Sequence, residues 1–205
     1  MESALQVLSA KEAALRRRSV RRFRPDPVPM SLLKEVLATA QAAPSAWNLQ
    51  PWRLVAVLDP GLKKALRAAA FGQEAVETAP VVLVVYSDMK DALAHLEEVI
   101  HPGLPQERRP AYMDSVLKHF QAMPQEEVEA WGAGQSYIYL GYLLLLLKAY
   151  GLDSVPMLGF DPARVKALLG LPDHVRIPAL VPLGYGAEEG FPHHRHALER
   201  VLTVR

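Results

Sequence analysis

Apolar positions along the chain change their period several times, and each change predicts an element. Leu32, Leu33, Val36, Leu37 and Ala40 recur at helical spacing, with Ser31 placed to cap them and Pro44 beyond their end. Trp52 to Leu58 reads as a strand closed by Asp59-Pro60-Gly61, and Leu62 to Phe71 as a helix. The run PVVLVVY, Pro80 to Tyr86, is continuously apolar and β-branched, which predicts a strand buried on both faces between helices. From Asp88 to Met123 the pattern turns charged and helical, broken by Pro102, Pro105 and Pro110. Its large apolar residues need a partner surface, so it reads as a helical excursion from the main body. A long helix then runs from Pro124 to Tyr150, with Gly151 past its end. Its second half, YIYLGYLLLLL, is apolar all round and belongs in a core or across a subunit interface.

The remaining segments are shorter. Residues 1–15 predict a helix, and Pro25, Pro27 and Pro29 an extended passage. APSAWNLQPW is a loop by composition. Asp153 to Met157 reads as extended, and Asp161-Pro162 opens a short helix that ends at Gly170. Ile177 to Gly184 is a strand whose Pro178 and Pro182 predict a bent or unpaired edge. The tail, 190–205, ends in a strand-like LERVLTVR.

Length and charge narrow the picture. The 205 residues suit a single domain, and half are apolar. No long apolar segment predicts a signal peptide or a membrane span, and Cys is absent, which together suit the cytoplasm. Six arginines, Arg16, Arg17, Arg18, Arg21, Arg22 and Arg24, surround Ser19 in a chain whose net charge is only +1. Such a segment reads as a phosphate cradle, a solvated basic arm or a nucleic-acid patch, and the near-neutral total weighs against the last.

The usual catalytic constellations are missing. There is no Walker loop and no GxSxG, and the glycines at 184, 186 and 190 have turn spacing rather than that of a dinucleotide fingerprint. His193, His194 and His196 lack the acidic or Cys partners of a metal site, so no metal is expected. Glu97-Glu98 and Glu126-Glu127 read as solvated helix faces. Any chemistry therefore belongs to a bound cofactor.

RRRSVRRF, APSAWNLQPW, GLDSVPMLGFD, a strand ending LGYG, and HHRHALERV follow one another in that order. Together they resemble the FMN-dependent nitroreductase family, and within it the NADH oxidase branch of thermophilic bacteria. The resemblance implies an α+β fold, a three-layer α-β-α body with a central mixed sheet. It also implies an intertwined homodimer with FMN at the interface and the tail 190–205 wrapped on the partner. Arg17 and Ser19 match residues that hold the FMN phosphate and ribityl chain, Arg18 one that contributes through its backbone, and Arg21 one toward the pyrimidine edge. Pro44, Ser45, Ala46 and Asn48 match a loop that reaches the flavin in part from the neighbouring subunit, with Trp47 a candidate gate. Gln73 matches a polar residue near the ring, Pro156, Met157, Leu158 and Gly159 the segment whose backbone N–H meets it, and Arg195 a late basic residue on the phosphate.

Three positions depart from the family pattern. Leu158 stands where many relatives have Glu, His193 where some have Lys, and Trp47 is unusual in the family at large. The implied activity is oxidation of NADH or NADPH, with electrons passed to oxygen, a quinone or a nitroaromatic in a ping-pong cycle. No side-chain acid or base is required, and FAD is the alternative cofactor. The rival readings are a specialised flavin-site redox enzyme of the same family and a cofactor-free, basic-arm nucleic-acid binder; the flavoprotein reading expects neither nucleic acid nor membrane as a partner.

Overall fold

The structure is a computed structural model that describes residues 7–205. Its strands are β1 (Trp52–Val57), β2 (Val81–Ser87), β3 (Asp153–Ser154) and β4 (Arg176–Gly184), in the sheet order β1-β2-β4-β3. The helices are α1 (Ala10–Arg16), α2 (Met30–Ala40), α3 (Pro60–Ala69), α4 (Glu74–Thr78), α5 (Met89–Ala94), α6 (Arg109–Gln121), α7 (Gln125–Ala149) and α8 (Pro162–Leu169). The part of the expected first helix over residues 1–6 lies outside the described residues.

Alternation along β2 builds the layers. Val81, Leu83 and Val85 join Leu33 and Val36 of α2 and Leu140, Leu143 and Leu147 of α7 in one core. Val82 and Val84 point the other way, into a second core with Leu66 of α3, Val76 of α4 and Val165 of α8. The three-layer α-β-α body expected from the sequence is present, and its middle strand is buried on both faces.

The sheet corrects the expected mixture of strand directions. All three ladders between these strands are antiparallel, and among the described residues parallel pairing occurs only at the isolated Ser19–Ser154 bridge. A second helix, α4, follows α3, and the chain re-enters the sheet against β1 rather than along it.

β4 is an interior strand rather than an unpaired edge, and its pairing with β2 is irregular beside Pro178. Leu180 exchanges hydrogen bonds with Met157 (3.0 and 2.8 Å), and Pro182 O accepts from Val155 N at 3.1 Å. Even-numbered residues of β4 therefore turn their backbone groups away from β2. Pro182 shares that phase, so its missing N–H does not interrupt the β2 ladder, whereas Pro178 lies where the register against β2 shifts, between the Val85–Ala179 and Ser87–Arg176 pairs.

Three further expectations change. Ser31 is not a cap: α2 starts at Met30 behind Pro29, with no side-chain cap bond. Residues 88–123 need no second chain to cover their apolar face. Met89, Leu96, Val116 and Phe120 form a third core with Leu49 and with Val128 of α7. LERVLTVR forms no strand but a single 3-10 turn at Leu198–Arg200, and every residue from 191 to 205 is exposed. The apolar half of α7 buries Tyr139, Leu140, Leu143 and Leu147 while leaving Tyr137, Ile138 and Tyr142 at the surface.

Candidate functional site

After α1 the arginine segment runs extended beside β3 and the end of β4. Val20 N donates to Ser154 O (3.2 Å), Arg24 N to Tyr185 O (2.8 Å), and Ala187 N to Arg22 O (2.9 Å). Period two along this rib puts Arg17, Ser19 and Arg21 on one side. The tail then crosses over it at Gly190, where φ is +72°. A Cβ there would lie 2.9 Å from both Arg18 Cβ and Ser19 O, so only glycine permits the crossing. Beyond it, His193 Nε2 donates to Arg17 O at 2.7 Å, and Arg195 is brought back beside Arg17.

Arg17, Ser19, Pro156 and Arg195 line one cavity of about 430 Å³, whose floor is Gly141 and Leu145 of α7. Burial pulls the Arg17 pKa down, and the charges of Arg195 and Arg18 add to the effect. Among the described residues no carboxylate pairs with Arg17 or Arg195. Two crowded guanidiniums and a hydroxyl without a counter-ion form a site that a phosphate relieves.

The other arginines are engaged elsewhere. Arg18 Nη1 donates to Leu15 O (2.7 Å) and Arg17 O (2.9 Å), closing the end of α1. Arg22 pairs with Glu188 at 2.8 Å and Arg24 with Asp26 at 3.5 Å. Arg21 donates its backbone N–H to Glu188 at 2.9 Å, and its side chain lines an adjoining hollow that shares Ser19.

Past Pro156 the chain offers backbone donors. Met157 is held on β4, Leu158 is 65% exposed, and Gly159 O accepts from Gln73 Nε2 at 2.7 Å. Among the described residues the N–H groups of Leu158 and Gly159 have no acceptor. Gln73 is thus tied to the Pro156–Met157–Leu158–Gly159 segment.

The loop with Pro44, Ser45, Ala46, Trp47 and Asn48 does not line this cavity in its own chain. It is tied to the excursion and α7: Asn48 Nδ2 donates to Val99 O (2.9 Å) and Ala46 N to Gln135 Oε1 (2.9 Å). The Trp47 ring packs 4.9 Å from His119, 5.5 Å from Phe120 and 5.8 Å from Trp131. Sequence reasoning missed Gly141 and Leu145 as lining residues. The signal was there: one glycine inside YIYLGYLLLLL leaves room beside an otherwise bulky helix.

With this geometry in hand, comparisons with known proteins can be placed. The model of the Nitroreductase family matches residues 14–185. A Thermus thermophilus protein named NADH dehydrogenase is 66% identical over 205 residues, covering 100% of both chains. A solved nitroreductase-like protein of Streptococcus mutans has a TM-score of 0.81 at 28% identity, over 95% of this chain and 97% of its own. An Exiguobacterium sibiricum protein solved in complex with FMN has a TM-score of 0.88 at 24% identity, over 99% of this chain and 100% of its own, a likeness of fold. Among the described residues no helix is long and apolar enough to cross a membrane.

Proposed function

The chain belongs to the nitroreductase family, and from that premise we propose that it is an FMN-dependent oxidoreductase. It oxidises NADH or NADPH and passes the electrons to oxygen, a quinone or a nitroaromatic. The observation that carries this reading is the carboxylate-free pair Arg17 and Arg195 around Ser19, beside the unpaired N–H groups of Leu158 and Gly159. The division of the arginine cluster also favours it over nucleic-acid binding, because Arg22 and Arg24 are already paired with carboxylates.

FMN, when bound, supplies a two-electron hydride acceptor and donor. Arg17, Ser19 and Arg195 would hold its phosphate, with Arg18 keeping the segment's backbone in place. Arg21 would lie toward the pyrimidine edge, where a fixed positive charge favours the reduced state. Leu158 and Gly159 would orient the ring through their N–H groups, and Gln73 fixes Gly159 from behind. A homodimer would bring Pro44, Ser45, Ala46 and Asn48 to the partner's cavity, with Trp47 at its entrance. No separate dinucleotide-binding fingerprint exists for NAD(P)H, so both substrates would use one position in turn.

The test combines binding and kinetics. Arg17→Ala and Arg195→Ala should each weaken FMN binding to apoprotein about ten- to a hundredfold, since a charge-assisted hydrogen bond is worth roughly 1.5–3 kcal/mol. NADH should bleach the loaded protein anaerobically, oxygen or a quinone should restore the colour, and double-reciprocal plots should be parallel. Unchanged FMN affinity in both variants moves the phosphate elsewhere, and intersecting plots mean separate substrate sites.

A further inference from the structure

Beyond Gly190 the tail stays at the surface, and every residue from 191 to 205 is exposed. From 191 to 196 no backbone group among the described residues bonds to another. Arg195 nevertheless comes to rest beside Arg17, close enough for its charge to pull the Arg17 pKa down, and both line the basic cavity. Like charges on so loosely attached a segment move apart unless something holds them together. Among the described residues no carboxylate does so. The bond from Arg195 Nη1 to His194 O, at 2.8 Å, is local to the tail and cannot fix its course.

The restraint is His193. Among the described residues every polar contact between the tail and the body passes through its ring. Nε2 lies 2.7 Å from Arg17 O, and since a carbonyl only accepts, Nε2 carries the proton and donates it. Arg18 Nη1 is also near the ring, 3.1 Å from Nε2 and 3.4 Å from Nδ1. Its shorter contacts are to Leu15 O (2.7 Å) and Arg17 O (2.9 Å), and these engage its two hydrogens. Arg17 O therefore accepts once from Arg18 in the rib and once from His193 in the tail. His193 stands two residues before Arg195 on a stretch without helix or turn, so a hold on one limits where the other can reach.

We infer that His193 is a positioning residue for the phosphate site: together with the crossing at Gly190, its bond to the Arg17 carbonyl places the Arg195 guanidinium at the cavity before any ligand arrives. An arginine on an unpinned tail would have to be ordered at the moment of binding, and that entropy is subtracted from affinity. Held in advance, Arg195 meets the phosphate without this loss. In the neutral ring the single N–H is engaged by Arg17 O, which leaves none for a phosphate, so His193 acts through Arg195. The inference rests on the phosphate reading of Arg17, Ser19 and Arg195 proposed above.

Titration of apoprotein with FMN and with riboflavin, which lacks the phosphate, tests this role. His193→Phe keeps a ring and removes the donor. It should weaken FMN about tenfold, the effect of one hydrogen bond, and leave riboflavin affinity at the parental value. His193→Gln restores an N–H donor on a side chain of similar reach and should recover most of the loss. In an Arg195→Ala background, His193→Phe should cost FMN affinity little more, because the residue it positions is gone. A full additional loss in that background means that the imidazole serves the phosphate on its own. Equal losses for FMN and riboflavin mean that His193 only supports the fold. Parental FMN affinity in His193→Phe, beside weakened binding in Arg195→Ala, means that Arg195 is placed without it. Each of these three overturns the inference and leaves the phosphate site standing. Parental FMN affinity in Arg195→Ala overturns the phosphate reading of Arg195, and this inference with it.

Discussion

Glu129 and Asp88 lie near the same histidine, His174, and are displaced in opposite directions. Burial raises the Glu129 pKa above its ordinary 4.5, outweighing the attraction of His174. Burial also acts upward on Asp88, but the Asp91 N–H and the His174 bond prevail and hold it below 3.8. A carboxyl with a raised folded pKa contributes most below its unfolded value, and that contribution is lost as pH rises through the folded one. A carboxyl with a depressed pKa contributes above its unfolded value and loses this on acidification. Glu129→Gln should therefore gain in thermal midpoint, relative to the parent, as pH is raised from 4.5 to neutrality. Asp88→Asn should show a penalty that is full above pH 3.8 and shrinks as pH falls below it, through the lower folded value. Calorimetry across a buffer series checks both, and a flat difference for Glu129→Gln means an unperturbed carboxyl. Nothing in the sequence marks Glu129. It follows Glu126 and Glu127, both exposed, on a helix start that reads as a charged face. Its burial comes from α5, which packs so close that a Cβ on Gly132 would lie 2.4 Å from Met89 Cγ. Arg17, Ser19 and Arg21 stood out in the sequence through the density of arginines around one serine and through the family resemblance; their spacing on an extended rib is visible only in the structure.

At the scale of elements, the strands were legible where composition acts locally and obscure where partners decide. PVVLVVY declares its burial on both faces, whereas the phase of Pro182 has meaning only against Val155. The loop around Trp47 is the stronger case of a tertiary decision. Trp47, Asn48 and Gln50 hold φ of 53°, 56° and 45°, conformations that cost such residues free energy. Gln50 N donating to Ser45 Oγ (2.9 Å), the Asn48–Val99 bond and the aromatic cluster hold them there. Trp47→Ala should destabilise the protein by about 2 kcal/mol, less than for a fully buried Trp, and Trp47→Phe should recover much of that. If the loop also reaches a partner's flavin cavity, Trp47→Ala will change turnover with quinones and nitroaromatics while leaving FMN affinity nearly constant. Thermal melts with steady-state kinetics separate the two roles. An unchanged melt refutes the packing role, and a lowered melt with parental turnover refutes the gate.

The whole molecule covers its sheet on both faces yet leaves large apolar surfaces open. Tyr137, Ile138 and Tyr142 form an exposed strip on α7, and Phe191, Val201 and Val204 are 85%, 72% and 84% exposed on a tail that stays outside the body. The two features have one economical explanation. A second copy, related by a two-fold axis, would cover the α7 strip, accept the tail and bring the 44–48 loop to the cavity that its own chain keeps it from. An interface assembled from so many segments belongs to the large, apolar, obligate class, roughly 2,000 Å² or more. Light scattering at low micromolar protein should accordingly report a dimer. Ile138→Asp should place unpaired charge on the strip and shift the population toward monomer. Deletion of residues 197–205, which spares Arg195, should weaken the dimer less. In both variants flavin occupancy should fall with the dimer fraction, because each cavity would lose the loop that completes it, although Arg17, Ser19 and Arg195 are all still present. Occupancy that stays full in an Ile138→Asp monomer would show that one chain suffices to hold FMN, and a folded, yellow monomer of the parent protein would remove the two-chain site altogether.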